Sequence, residues 1–377
     1  MNKEEESLVR HKQLRGKIAL KLKDDLDSQD KLSIYYTPGV AAVSSYVADN
    51  PDEVRDYTWL NNSVAVVSDG SAVLGLGDIG PLGALPVMEG KAMLFKHFAD
   101  IDAVPIVLDV HTADEIVATV KAIAPSFGGI NLEDIAAPIC FEVEERVKAA
   151  LSIPIMHDDQ HGTAVVVLAG LINAMKVTGR TLTDCKVVCV GAGAAGTAIM
   201  KLLNLYATPN ILAVDSNGII SSSRSDLSKD KRDLLSFTNP HNVSGSLADA
   251  IKDADIFIGV SKAGLLTKAM VKSMSKDPII FAMANPNPEI MPDDAKEAGA
   301  AIIATGRSDF PNQVNNALAF PGIFRGALDN RVNKITDEHK IAAAEVIAGL
   351  VKLPSKDKIV PSVLEKRLVP AIAKVIK

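Results

Sequence analysis

The chain has 377 residues, of which 47% are apolar and 23% charged, with a formal net charge of −6. A single hydrophobic core stops growing well below this length, so two domains are expected. The acidic balance, without a basic cluster, argues against a nucleic-acid partner.

The opening MNKEEESLVRHKQLRGK lacks the apolar stretch of a signal peptide, and the longest apolar run, Ala164 to Met175, is too short to span a bilayer. No membrane contact and a cytoplasmic location are therefore expected. Residues 4–22 alternate charged and apolar positions, the pattern of an amphipathic surface or interface helix. Leu32 to Val40 reads as an extended piece closed by a Pro-Gly turn. Its Tyr36 is either a packing residue or a hydroxyl held as a general acid. Ser63 to Val67 and Ala72 to Leu74 read as short strands. The glycine run from Gly75 to Gly80 fits G-x-G-x-x-G, but Pro81, Gly83 and Pro86 argue against a helix starting at that turn. This loop is read as substrate-side or hinge rather than a cofactor cradle. Glu89-Gly90-Lys91 opens a helix through His97, and a lysine at a helix start calls for a nearby anion.

Ala103 to Val110 is a strand, and Thr112 caps a helix to about Ala124. The strand Gly129 to Leu132 ends in Glu133-Asp134, and a helix from Phe141 to Ala150 follows. The strand Ser152 to Met156 runs into His157-Asp158-Asp159-Gln160-His161, ahead of a helix from Thr163 to Val177. Open α/β sheets bind ligands at the carboxyl ends of their strands, so these two strand ends point to one shared site. The carboxylates are either helix N-caps or an all-oxygen set for Mg²⁺ or Mn²⁺. His157 and His161, four apart, hint at zinc, against which stand Gly162 and the surrounding carboxylates.

Residues 185–215 carry a strand (Lys186 to Val190), a glycine turn (Gly191, Ala192, Gly193, Ala194, Ala195, Gly196), a helix (Thr197 to Tyr206) and a second strand ending at Asp215. The first glycine permits the turn, the second admits the pyrophosphate and the third lets helix approach strand. Asp215, nineteen residues beyond Gly196, is spaced to accept from the ribose hydroxyls. It would repel a 2′-phosphate, which favours NAD, but Ser216-Asn217 offers no cation to decide the matter and NADP stays open. Later strands are Asp255 to Val260, Ile279 to Ala284 and Ala301 to Thr305. Asn285 and the Asn315-Asn316 pair are either turn residues or neutral donors to a substrate carboxylate. Lys340 to Lys377 reads as mostly amphipathic helix. Cys140, Cys185 and Cys189 lack metal-type spacing and are expected to be buried and reduced. The fold class is α/β, with a substrate- and metal-binding domain over 1–160 and a Rossmann-type domain over 161–377.

YYTPGV, GLGDIGPLGALPVMEGKAMLFK, INLEDI, HDDQHGTA, GAGAAG, FAMANPNPE and NNALAFPG occur in that order, and with them the chain resembles the malic enzyme family in its short bacterial form. The resemblance implies oxidative decarboxylation of (S)-malate to pyruvate and CO₂ with reduction of NAD or NADP. It implies Tyr36 as general acid, Lys91 as general base with Asp158 as its partner, and Glu133, Asp134 and Asp159 as metal ligands. Asn285, Asn315 and Asn316 match malate-binding amides, and a homodimer with Tyr36 near its interface is implied. One departure is Ala72, where longer members carry an arginine that grips a substrate carboxylate. That departure motivates an alternative, a metal-dependent oxaloacetate decarboxylase with little malate oxidation. A nucleotide-sensing module without chemistry is the reading from another class, and the intact acid set weighs against it.

Overall fold

In the computed structural model, which describes residues 3–73 and 75–377, the chain begins as an arm over the surface. The arm carries α1 (Lys3–Leu14), α2 (Gln29–Tyr35), α3 (Val40–Asp49) and α4 (Val54–Tyr57). No residue from 3 to 62 in it is buried. The expected helix over residues 4–22 stops at Leu14, where Arg15 and Gly16 turn to positive φ of 56° and 112°. The expected extended piece around Tyr36 is also corrected. The Ser28 side chain accepts from the Lys31 N–H and starts α2, with Asp30 in its first turn. That cap and charge outweigh the strand preference of Ile34, Tyr35 and Tyr36.

Strands β1 (Ser63–Ser68), β2 (Asp102–Val107), β3 (Gly129–Leu132) and β4 (Ile155–His157) form a parallel sheet in the order β2-β1-β3-β4. The crossovers are α5 (Gly80–Ala99), α6 (Ala113–Ile123) and α7 (Ile139–Ala150). Val64 and Val66 of β1 face one apolar cluster, while Ala65 and Val67 face another. A parallel strand covered on both faces requires that pattern. The expected strand from Ala72 ends at Leu74, which lies outside the described residues, and Val73 makes only an isolated bridge to Gly77. α5, contrary to expectation, starts directly at the glycine turn. Pro81 sits in the first turn, where its missing N–H has no intrahelical acceptor to lose. Pro86 lies inside the helix, four residues after Leu82, which is 81% exposed and leaves its turn open to water.

α8 (Asp158–Thr178) leads to the second sheet. It is long and apolar enough to cross a membrane, yet 67% of its most apolar stretch is buried, packed against α9 (Ala194–Ala207) and a C-terminal helix. β5 (Lys186–Val190), β6 (Asn210–Asp215) and β7 (Gly218–Ile219) precede α10 (Lys229–Leu234) and α11 (Leu247–Ile251). β8 (Ile256–Gly259), α12 (Lys268–Ser273), β9 (Ile279–Ala282), α13 (Pro292–Glu297) and β10 (Ile302–Thr305) follow. The order is β10-β9-β8-β5-β6-β7, parallel except for β7. This is a doubly wound sheet whose direction of growth reverses between β5 and β8.

The chain closes with α14 (Phe320–Asp329), α15 (Asp337–Leu350) and α16 (Leu368–Ala373). The expected long amphipathic stretch is thus broken between Val351 and Arg367. α14 reaches back to the first sheet, where Phe320 and Phe324 meet Phe95 of α5 edge-on at 4.7 and 5.4 Å. Both sheets therefore share one core. Phe324→Ala is expected to cost about 3–5 kcal/mol of stability. A urea melt followed by circular dichroism checks this, and an unchanged midpoint would mean that α14 is not part of the cooperative core.

Candidate functional site

β3 and β4 pair in register, with Leu132 opposite His157. Glu133-Asp134 and Asp158-Asp159 therefore leave the first sheet side by side. The Glu133 N–H still donates to Val67 O at 2.9 Å. Asp134 then takes a left-handed turn, φ 53°, and its N–H donates to Asp159 Oδ2 at 2.7 Å. One oxygen each from Glu133, Asp134 and Asp159 falls within 4.8 Å of the others. Asp158 and Asp159 belong to the first turn of α8 rather than to a loop before it.

Lys91 enters from the middle of α5, not from a helix start, and is 7% exposed. Its Nζ lies 2.6 Å from Asp158 Oδ2 and 2.8 Å from Glu133 Oε1, and 4.4 Å from the centre of the Phe320 ring. Burial alone would lower its pKa, but Asp158, Glu133 and Asp159 outweigh that and raise it. Burial and the Asp159 charge push Glu133 well above the usual carboxylate range. Asp158 is raised as well, by burial opposed by Lys91. Four carboxylates thus face a single buried ammonium, and Asp158 Oδ1 is buried without a hydrogen-bond partner. A divalent cation with oxygen ligands fits this excess of negative charge. His161 turns the other way, with Nε2 at 2.8 Å from Glu144 Oε2, and burial lowers its pKa to about 4. The grouped ligand atoms among the described residues are all carboxylate oxygens, so the zinc alternative gains nothing here.

At the second sheet, Gly191 has φ 108°, and a Cβ on Gly196 would stand 1.7 Å from the Gly191 carbonyl oxygen. Gly193 has open space where its Cβ would be and caps α9 without a side-chain bond. α9 starts at Ala194 rather than Thr197, so Ala194 and Ala195 supply first-turn N–H groups beside Ala192. Open N–H groups at such a turn make a phosphate cradle. Asp215 at the end of β6 receives Arg224 at 2.7 and 3.1 Å and Lys231 at 2.6 Å. Burial would raise its pKa, but these partners hold it below the ordinary value. Both cations lie beyond Ser216-Asn217, the neighbours of Asp215 in sequence, which carry no charge. The β6–β7 hairpin folds the chain back and delivers them from nine and sixteen residues downstream; SSRSDLSKDK was the available signal.

Asn285 follows β9, and its carbonyl oxygen lies 2.3 Å from where a Gly75 Cβ would be. The first domain's glycine loop therefore abuts the second domain's Asn285 turn. The Asn315 side chain accepts from the Ala317 N–H at 2.9 Å. Asn316 Cβ lies 3.0 Å from a Cβ position on Gly162 that would also strike Asp158 Oδ1. Lys91, Glu133, Asp134, Asp158, Asp159 and Asn316 therefore gather at one end of α8. Tyr36 does not join them by any hydrogen bond among the described residues, and it is 67% exposed on the arm.

A family model described as the malic enzyme N-terminal domain matches residues 15–115 and 111–148, and one described as the malic enzyme NAD-binding domain matches 160–375. The chain is 56% identical to a bifunctional malic/malolactic enzyme of Bacillus subtilis, covering 100% of this chain and 92% of the relative. It is 54% identical to an NAD-dependent malic enzyme of Geobacillus stearothermophilus, covering 95% and 75%. A crystal structure of an NAD-dependent malic enzyme from Thermotoga maritima superposes with a TM-score of 0.96 at 48% identity, over 98% of each chain.

The Gly196–Gly191 approach gives a direct test. Gly196→Ala is expected to weaken nucleotide binding by about tenfold or more, roughly 1.4 kcal/mol, with the far-ultraviolet circular dichroism unchanged. Calorimetric titration with the nucleotide reads this, and wild-type nucleotide affinity in the variant would disprove the cradle.

Proposed function

We propose, from the fact that this chain belongs to the malic enzyme family, that the gathered residues carry out the family's reaction in the following roles. The chain is an NAD(P)-dependent malic enzyme, converting (S)-malate to pyruvate and CO₂. The observation that carries the assignment of roles is Lys91, buried and held between Asp158 and Glu133 at the edge of the carboxylate cluster.

Glu133, Asp134 and Asp159 would hold Mg²⁺ or Mn²⁺, and the glycine turn would hold the nucleotide. Together the bound groups would supply positive charge for the electron density that gathers on the C2 oxygen as CO₂ leaves, and an acceptor for the hydride. Lys91 takes the C2 hydroxyl proton as general base. The carboxylates around Lys91 hold it protonated; a cation at Glu133, Asp134 and Asp159 would offset that charge, and Asp158, 2.6 Å from the Nζ, is the partner placed to receive the proton. Tyr36 returns a proton to C3 after CO₂ has left. Asn285, Asn315 and Asn316 offer neutral donors to malate. Ala72 supplies no cation there; its N–H donates to the Asp134 carbonyl.

NAD⁺ is the preferred acceptor in this reading, because Asp215 stands where a 2′-phosphate would lie. Arg224 and Lys231 offer that phosphate compensating charge, so NADP⁺ is accepted as well. The working form is a homodimer in the cytoplasm. Its support is the arm, where Leu20 is 90% exposed, Leu22 69% and Ile34 55%. Apolar side chains in such a run mark a surface that another chain covers, and Tyr36 lies in the same run. The three cysteines are buried free thiols, compatible with a reducing compartment.

With malate and Mn²⁺, the purified protein is expected to form reduced nicotinamide and pyruvate in equal amounts, faster with NAD⁺ than with NADP⁺. Loss of CO₂ from oxaloacetate without any malate oxidation would replace this reading with the decarboxylase. Tyr36→Phe is expected to keep Mn²⁺ and NAD⁺ affinities and to lose turnover. Full turnover in that variant removes Tyr36 from the chemistry.

A further inference from the structure

α8 begins with an unusual division of labour. Acidic side chains in a first helical turn normally face the exposed N–H groups and the positive end of the helix dipole. Asp158 and Asp159 face elsewhere, one bound to Lys91 and the other to the Asp134 N–H. The N-cap residue, His157, makes no side-chain cap either. A carboxylate from another element stands in. Glu144 of α7 is 6% exposed, and its Oε1 accepts from the His157 N–H at 3.0 Å. Its Oε2 lies 2.8 Å from His161 Nε2 and 3.4 Å from Gln160 Nε2. Lys148, one turn along α7, adds an ion pair to Oε1 at 2.7 Å. Burial opposes the charge on Glu144, but His161 and Lys148 outweigh it and hold the carboxyl well below the usual range.

Glu144 therefore grips the chain at residue 157 on one side and at residues 160 and 161 on the other, with Asp158 and Asp159 between the two grips. We propose that Glu144 is a positioning residue for the cation site: it fixes the first turn of α8 so that Asp159 faces Glu133 and Asp134 while Asp158 faces Lys91. It touches neither substrate nor cation. Outer partners of this kind set metal affinity because they fix the ligand's orientation before the metal arrives. A glutamine of the same size loses the charge that pairs with Lys148, and it holds residues 157 and 161 together only if His161 Nε2 turns from donor to acceptor, so the grip is loosened. The inference rests on the reading of Glu133, Asp134 and Asp159 as cation ligands, and the test separates the two.

The experiment is Mn²⁺ titration of the resting enzyme by electron paramagnetic resonance, without malate or turnover, alongside calorimetric NAD⁺ titration. Wild type is expected to bind one Mn²⁺ tightly; no binding there would overturn the cation reading and this inference with it. Glu144→Gln is expected to weaken Mn²⁺ by about tenfold or more while NAD⁺ affinity stays within about twofold of wild type. Glu142→Gln, on the same helix but paired outward with Arg146, is expected to change neither. Wild-type Mn²⁺ affinity in Glu144→Gln, with only a lowered melting temperature, would reduce Glu144 to a purely structural role and overturn the proposal. If that variant does not fold, Lys148→Met decides, since it loosens Glu144 from a partly exposed position. A weakening of Mn²⁺ by about twofold or more supports the proposal, and unchanged affinity overturns it.

Discussion

Three buried carboxylates, the half-buried Asp159 and one buried lysine, gathered where two strands of the first sheet end, set the terms for the rest of the molecule. Charges removed from water cost several kcal/mol each unless they are paired. Lys91 balances only part of this set, and it arrives because α5 places it between Asp158 and Glu133. The backbone offsets part of the remaining charge. The Asp134 N–H meets Asp159, and a left-handed turn at Asp134 makes that contact reachable. Such an arrangement persists only if the surrounding elements leave it no room to relax.

α8 supplies that constraint. Its N-terminal turn carries two of the carboxylates, and its body runs through the core that both sheets share. α14 closes the other side by laying Phe320 and Phe324 on Phe95, one turn of α5 away from Lys91. Phe320 also lies under the Lys91 ammonium, so the same ring joins packing to the charge cluster. A residue from the C-terminal third thereby shapes the environment of a lysine in the first. The two glycine loops follow the same logic. Gly75 carries no side chain because the Asn285 carbonyl occupies that space, and Gly196 because the Gly191 carbonyl does.

The parallel strands of both sheets were legible in the sequence because apolar runs bounded by glycine and acids have few other uses in an α/β chain, whereas the two-residue β7 was not and the run from Ala72 joined neither sheet. The gathering of Glu133, Asp134, Asp158 and Asp159 was legible for the same reason, since two strands must end at the same edge of a parallel sheet. Helix starts were less legible. Pro81 and Pro86 argued against a helix that forms anyway, and Ser28 capped a helix through residues with strand preference. Arg224 and Lys231 were hidden because a hairpin, not a spacing rule, brings them to Asp215. Glu144 was hidden more deeply: nothing in FEVEERVKAA distinguishes it from Glu142 or Glu145 until α7 is laid against β4.

The arm shows where sequence pattern and single-chain structure both stop short. Its helices carry amphipathic spacing, yet no residue from 3 to 62 is buried against the rest of the chain. The Ser28 cap can decide that α2 forms, but helices this short gain most of their stability from packing. Trp59 packs on Phe127 at the end of the arm, but the exposed apolar side chains between Ile18 and Val40 leave an energetic reason to be sought outside the chain. The homodimer proposed above supplies that reason, and it places the covering of Tyr36 under the control of assembly. Metal and nucleotide binding would draw on the two sheets and α8, which this chain completes alone, whereas proton return to C3 would draw on a segment whose packing it does not.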